Sequence, residues 1–381
     1  MRIITTVNPE SGGPIEGLKQ QAKIAMAKGH TTEVACFDEE NATHVKEFPL
    51  RVHALGPIFS KYAYSRKFKP WLLANYNQYD AIVIHNLWQY HSFAAHAALK
   101  SVNAPYYVFT HGALDPWFKK QYPLKHLKKC LYWFWGEYPV IRDAKKVLFT
   151  CEEEKVLARQ SFWPYRCNEH VVNYGTAGHI GIADEQRSLF LNSFPNLRGK
   201  RFLLFLSRIH PKKGIDLLIE AFAKNKPYES DLELVIAGPD QIGWQKELHA
   251  LAVSRGVADK ITWTGMLGGD MKWGAYLTAD AFILPSHAEN FGIVVAEALS
   301  CSLPVLISDK VNIWQEVEQN VAGLVADDTI GGCSDLIERW IQMDESAKSQ
   351  IRENAKQCFM THFEINAAVD SLMAVFAQGV K

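Results

Sequence analysis

The chain has 381 residues, 41 basic and 41 acidic, with 48% hydrophobic and 22% charged side chains. That length exceeds one ordinary core, and that composition excludes a disordered or fibrous chain. A formal net charge of zero gives no general pull toward nucleic acid, and no nucleic-acid partner is expected.

The first predicted strand, 2–7, stops at Asn8-Pro9. It is too short for a signal peptide, so a cytoplasmic protein is expected. Seven scattered cysteines with no C-x-x-C pair fit reduced thiols and give no metal-binding or redox spacing. No window reaches the roughly 18 apolar residues of a membrane span. Asn8-Pro9-Glu10-Ser11-Gly12-Gly13-Pro14 follows the strand, where paired glycines let backbone approach a ligand, and a helix then runs to Lys28-Gly29-His30. The full G-x-G-x-x-G fingerprint is missing, which argues against a nicotinamide dehydrogenase.

Further strands are predicted at 32–37, 51–55, 81–85, 106–110, 146–150 and 170–173. Many are near-continuous in Ile, Val, Leu and Phe, as strands buried on both faces should be. Thr110-His111-Gly112-Ala113 closes the 106–110 strand, which places His111 at a strand end where ligands bind. A lone histidine is also commonly structural. Between 116 and 138, Lys119, Lys120, Lys125, Lys128 and Lys129 are interleaved with Trp117, Tyr132, Trp133 and Trp135. That pattern suits an interfacial helix on anionic lipid, at the inner face of the membrane. It equally suits a core helix with a solvated lysine face.

Gly175, Gly178, Gly181, Pro195 and Gly199 interrupt the series. The expected organisation is an N-terminal domain at 1–176, a linker at 177–199, a second domain at 200–355, and a terminal helix at 356–381 packing back on the first domain. The second series has strands at 202–207, 232–237, 260–264, 281–285, 304–308 and 322–326. Alternating strands and amphipathic helices imply parallel, doubly wound sheets, so two such α/β domains are expected to face a cleft. No D-x-D sequence occurs, and metal-independent chemistry with no cofactor is expected.

Two segments of the second series carry chemistry. Arg208-Ile209-His210-Pro211-Lys212-Lys213-Gly214 follows its first strand, where an Arg fork and a Lys point charge could clamp a diphosphate. A charged surface loop would look the same. Ser286 to Ala298 follows its fourth strand and enters a helix whose free N–H groups suit an anion. It holds Glu289 in the loop and Glu297 in the helix. Two carboxylates beside a phosphate make sense if each accepts from ligand hydroxyls, as on a sugar and a ribose; a first-turn acid and a solvated glutamate are the plainer account.

Gly12-Gly13, Arg208…Lys213-Gly214 and Glu289…Phe291-Gly292…Glu297, in this order and context, resemble the retaining glycosyltransferase family 4, of the GT-B fold with two Rossmann-like domains. The resemblance is strongest over 200–330 and continuous over 1–175. It implies that Arg208 and Lys213 neutralise a nucleotide-sugar diphosphate, that Glu289 holds a donor-sugar hydroxyl, and that Glu297 holds the ribose hydroxyls. Backbone N–H groups of Asn290, Phe291, Gly292 and Ile293 would line sugar and phosphate. Gly12 and Gly13 would close over the diphosphate, the Gly265-Met266-Leu267 loop would meet the base, and His111 would lie near the reacting sugar.

The implied activity is hexosyl transfer to a glycan or lipid-linked glycan acceptor in surface polysaccharide assembly. A nucleotide-sugar epimerase and a non-catalytic nucleotide-sugar binding module are the alternatives. The chain departs from the family's usual pattern in three places: Val172-Asn173-Tyr174-Gly175-Thr176 stands where a Pro-Asn-Gly turn is common, Asn290 stands where many relatives have Gly, and His287 precedes Glu289.

Overall fold

The computed structural model describes residues 1–9, 13–58, 60–172, 174–225 and 231–378. Gly12, with Glu10 and Ser11, and Asn173 therefore lie outside the described residues. The chain divides into two compact units, one of residues 1–175 and 365–381, the other of residues 176–364.

The first unit is built on a sheet of β1 (Arg2–Ile3), β2 (Glu33–Cys36), β3 (Arg51–Ala54), β4 (Val83–His85), β5 (Tyr107–Phe109), β6 (Lys146–Phe149) and β7 (Glu169–Val171). Their spatial order is β3-β2-β1-β4-β5-β6-β7. Every described pairing is parallel, with Ile3 opposite Ala35 on one side and Ile84 on the other. Ile3, Ile84, Val108, Phe109, Val147 and Phe149 are fully or almost fully buried. Helices cover both faces of such a sheet, which is why its strands carry apolar residues in succession instead of alternation.

The second unit repeats the plan with β8 (Arg201–Leu206), β9 (Leu232–Ala237), β10 (Ile261–Gly265), β11 (Ala281–Leu284), β12 (Val305–Ser308) and β13 (Gly323–Ala326), in the order β10-β9-β8-β11-β12-β13. The amphipathic helix Ile215–Lys224 buries Ile215, Leu218, Ile219 and Phe222. Thus the doubly wound α/β fold expected from the alternation of elements is the fold observed, strand by strand.

Residues 177–199, expected as a linker, are built into the second unit. They contain the helix Ala183–Ser193, which packs on the helix Gly269–Thr278. A Cβ on Gly274 would fall 2.1 Å from the Gln186 carbonyl oxygen, so the two backbones approach as closely as glycine permits. Glycines at 178, 181 and 199 do take positive φ, as turn residues should, but Gln186 and Phe190 between them are buried.

The last helix, Ile365–Ala377, belongs to the first unit. Its Ile365 and Val369 pack with Ala25, Lys28 pairs with Asp370, and the buried Arg2 guanidinium lies 5.6 Å from the Phe376 ring. Among the described residues no helix is long and apolar enough to cross a membrane.

Candidate functional site

In a doubly wound sheet the strand order reverses at one point, and the loops leaving the two strands there diverge to open a crevice at their carboxyl ends. In the second unit that point lies between β8 and β11. The Arg208–Gly214 loop leaves β8, and the Ser286–Gly292 loop leaves β11. The topology therefore brings the two chemistry-bearing segments together, although some 75 residues separate them.

The loops are stitched to each other. The His287 N–H donates to the Lys212 carbonyl at 2.9 Å, and Lys213 forms an ion pair with Glu289. Gly214 sits at φ 66°, and a Cβ on it would fall 2.2 Å from the Pro285 carbonyl oxygen, so only glycine lets the turn close. On its other side the Glu289 segment is fixed by Glu289 N–H to Lys310 carbonyl at 2.9 Å and Asn312 N–H to Glu289 carbonyl at 3.0 Å. Gly292, at φ 67°, turns the chain into the helix Ile293–Ser300.

The electrostatics follow from this arrangement. Lys213 is buried and Glu289 is half-buried. Burial pushes the Glu289 carboxyl up, but the Lys213 ammonium, with Lys212 and Arg208 behind it, outweighs burial and holds it below the ordinary carboxylate range. Glu289 is thus a fixed anion. Arg208 is exposed at the strand end. The two residues given separate ligand roles from the sequence, Lys213 and Glu289, form one pair in the structure.

Glu297 is buried in the second turn of the helix. Lys272 donates to its Oε1 at 2.7 Å and the Tyr276 hydroxyl to its Oε2 at 3.2 Å, both from the helix Gly269–Thr278. Neither partner was singled out from the sequence; the amphipathic spacing of Lys272 and Tyr276 was the available signal. Met266 and Leu267 lie in the loop leaving β10, Met266 fully in the open at 77% exposure. Phe291 is buried, and Asn290 and Ile293 are half-buried. His287 turns to Asp328, its Nδ1 2.8 Å from Oδ2. Among the described residues no group of three or more His, Cys, Asp or Glu side chains is placed to hold a metal ion.

The first unit has its own reversal point, between β1 and β4. Thr6 Oγ1 and the Val7 N–H both donate to Asp38, anchoring the start of the glycine-bearing loop. Among the described residues nothing lies within 4 Å of where a Cβ on Gly13 would stand. His111, at the end of β5, takes φ 47°, a left-handed conformation rare outside glycine. Glu154 holds it there by accepting from Thr110 Oγ1 and the Gly112 N–H, both at 2.6 Å.

His111 Nε2 and His85 Nδ1 share a hydrogen bond of 2.9 Å with their rings stacked. His91 reaches the His85 carbonyl at 2.8 Å. Burial and the nearby Arg2 guanidinium drive His111 down to about 4, so it is a neutral imidazole at physiological pH. His85, His91 and Glu154 were not singled out from the sequence. His85 carried the same signal as His111, a histidine closing an apolar strand.

Helix Pro123–Trp133 buries Trp133 on one side. On the other it leaves Leu124, Leu127 and Leu131 exposed, followed by Phe134 and Trp135. A core helix with a purely lysine-covered outer face is therefore not what the structure shows.

Comparison with known proteins adds the following. The model for "Glycosyl transferase 4-like domain" matches residues 12–175, and that for "Glycosyl transferases group 1" matches residues 190–357. Among curated proteins, the alpha-D-kanosaminyltransferase of Streptomyces kanamyceticus is 25% identical over 246 residues, which is 64% of this chain and 63% of that protein. The D-inositol 3-phosphate glycosyltransferase of Mycolicibacterium smegmatis is 27% identical over 252 residues, 64% of this chain and 55% of that protein. The chain thus spans less than two thirds of the length of these relatives.

Among solved structures, that of Anabaena HepE in complex with UDP and glucose superimposes with a TM-score of 0.76 at 18% identity, covering 99% of this chain and 98% of that one. A glycosyltransferase from Rickettsia africae gives 0.78 at 17%, covering 100% and 98%. At these identities the likeness establishes the fold, which is GT-B.

Proposed function

Since the chain belongs to the group 1 glycosyltransferases (family 4), we propose that it moves a hexose-type sugar from a nucleotide-diphosphate donor to a glycan or lipid-linked glycan, with retention and without a metal. The observation that carries this reading is the pairing of Lys213 with Glu289 between the two loops at the reversal point of the second unit.

Breaking a sugar–phosphate bond puts negative charge on the departing diphosphate and positive charge on the anomeric carbon. Arg208, Lys213 and the N–H groups opening the helix Ile293–Ser300 suit the first charge, and Lys213 and the helix N–H groups are held in place before reaction. Glu289, held as an anion, suits a donor-sugar hydroxyl. Glu297, fixed by Lys272 and Tyr276, keeps lone pairs for ribose hydroxyls. The exposed Met266 and Leu267 would meet the base. Gly12, Gly13 and His111 would serve from the first unit. A neutral His111 cannot supply a full positive charge, so its role is to hold a hydroxyl by hydrogen bonding. No carboxylate is assigned as a nucleophile; the leaving phosphate taking the acceptor's proton fits the site best.

The exposed leucine stripe at 124, 127 and 131, with Lys125 and Lys128 beside it, fits a peripheral face on anionic lipid, and with it a lipid-linked acceptor in surface polysaccharide assembly. The test is sugar transfer from radiolabelled UDP-, GDP- and ADP-sugars to a membrane extract in the presence of chelator. Labelled lipid-linked glycan that disappears in the double substitution Glu289→Ala with Glu297→Ala, in a protein that still melts cooperatively, supports the reading. Free nucleotide and epimerised sugar formed without acceptor would replace it with an epimerase.

A further inference from the structure

An aromatic cavity lies wholly within the first unit. It is open to solvent, holds about 550 Å³, within the range of small-molecule sites, and is lined by Tyr64, Trp88, Tyr90, Phe93, Tyr132 and Trp135. Two of the polar ends among these rings are engaged elsewhere. The Tyr132 hydroxyl bonds that of Tyr62 at 2.6 Å, and the Trp88 indole N–H donates to the Ala113 carbonyl at 2.9 Å. What remains facing the space is ring carbon. A glycan there would leave its hydroxyls poorly partnered, at a cost for each, whereas an apolar chain would not.

The rim is cationic. Lys128 and Lys129 both line the cavity. Neither forms an ion pair among the described residues, and the Lys129 ammonium lies 4.2 Å from the Trp88 ring centroid. The acid nearest in influence, Glu137, is buried, and burial pushes its carboxyl up to about 7, so it offsets the lysine charge poorly. Trp135 belongs both to the cavity wall and to the exposed apolar stripe that begins at Leu124. Through Trp135 the cavity adjoins the face proposed above to meet the membrane.

We propose that this aromatic cavity with its Lys128–Lys129 rim is a binding site for the isoprenyl phosphate part of a lipid-linked acceptor, the chain among the rings and the phosphate at the two ammonium groups. This rests on the lipid-linked acceptor reading above and narrows it to a carrier chemistry and a place.

Tryptophan fluorescence reads the site directly, since Trp88 and Trp135 line it. The full-length protein is titrated with farnesyl phosphate below its micelle-forming concentration, and in parallel with farnesol, dodecyl phosphate, inorganic phosphate and maltotriose. The expected result is saturable quenching by farnesyl phosphate, at least tenfold weaker with farnesol and with dodecyl phosphate, and absent with inorganic phosphate and maltotriose. Lys128→Glu should weaken farnesyl phosphate at least tenfold while leaving farnesol unchanged. Lys128 is exposed at the rim, and an unchanged melting temperature confirms the fold of the variant.

No saturable response, equal affinity for farnesol, or tighter binding of dodecyl phosphate or maltotriose overturns the proposal. Sedimentation with phosphatidylglycerol vesicles separates the two readings. Leu127→Ser with Leu131→Ser should abolish vesicle binding yet keep farnesyl phosphate binding. Vesicle binding by a wild type that ignores farnesyl phosphate would sink the cavity proposal and leave the membrane face standing.

Discussion

Lys213 and Glu289 illustrate what single residues contribute. An isolated carboxylate in such surroundings would be pushed toward its neutral form; the Lys213 ammonium beside it keeps Glu289 ionised. Lys213→Ala leaves Glu289 without its main partner and removes a charge aimed at the leaving group. Transfer should fall by about 10²-fold or more in kcat/KM, measured with saturating acceptor. Both residues were legible in the sequence from their place after apolar strands. Their direct pairing was not, because it depends on which strand ends the topology sets side by side.

The buried histidines set a pH dependence. His111 and His91 are each held near 4 in the fold, mainly by burial, and His85 well below its ordinary value. The unfolded chain accepts these protons near 6.5 while the fold refuses them. Stability is therefore fully present above about pH 6.5 and falls as pH drops toward 4, with a slope of up to about 1.4 kcal/mol per pH unit for each such group. Urea melts at pH 7.5 and 5.0 should show this loss, and His91→Gln should reduce it. An unchanged midpoint between the two pH values would contradict the cluster's protonation state.

At the scale of elements, the central strands of both sheets were readable because they are short apolar runs between turn residues, and burial on both faces gives the run no competing helical period; β3 and β7, at the sheet edges, carry Arg51, His53, Glu169 and His170 and are only partly buried. The stretch 177–199 was not readable in the same way. Its glycines mark genuine turns, but the helix Ala183–Ser193 between them draws its stability from packing on the helix Gly269–Thr278, a partner some 80 residues away.

The turn at Gly214 shows the reverse, a local signal with a long-range cause. Its φ of 66° and the approach of Pro285 oxygen leave no room for a side chain. Gly214→Ala should cost about 1–2 kcal/mol from the backbone conformation alone, and more from the clash. Because the strain falls where the two loops meet, donor affinity should drop in the same variant. A melt and a nucleotide titration on that protein check both, and a variant with wild-type affinity would show that the loops do not depend on this contact.

At the scale of the whole molecule, two units with the same winding each place distinctive residues beside the strand-order reversal, Arg208, Lys213 and Glu289 in one and His85 and the start of the helix Gly13–Ala27 in the other. The sequence disclosed this much because both the alternation of elements and the position of loops after strands are local properties. It disclosed neither the histidine cluster with Glu154 nor the aromatic cavity, since pairs such as Trp88 with Tyr132 and Thr5 with His91 become neighbours only once the sheet order is set.

The central claim is that the second unit binds a nucleotide diphosphate sugar through Arg208 and the Lys213–Glu289 pair. Calorimetric titration of the wild type and of Arg208→Ala with UDP-glucose, GDP-mannose and ADP-glucose, each with and without EDTA, tests it most directly. Saturable binding of one base family, indifferent to the chelator and weakened at least tenfold by Arg208→Ala, is the predicted result; binding that vanishes with EDTA, or that Arg208→Ala leaves unchanged, would contradict it.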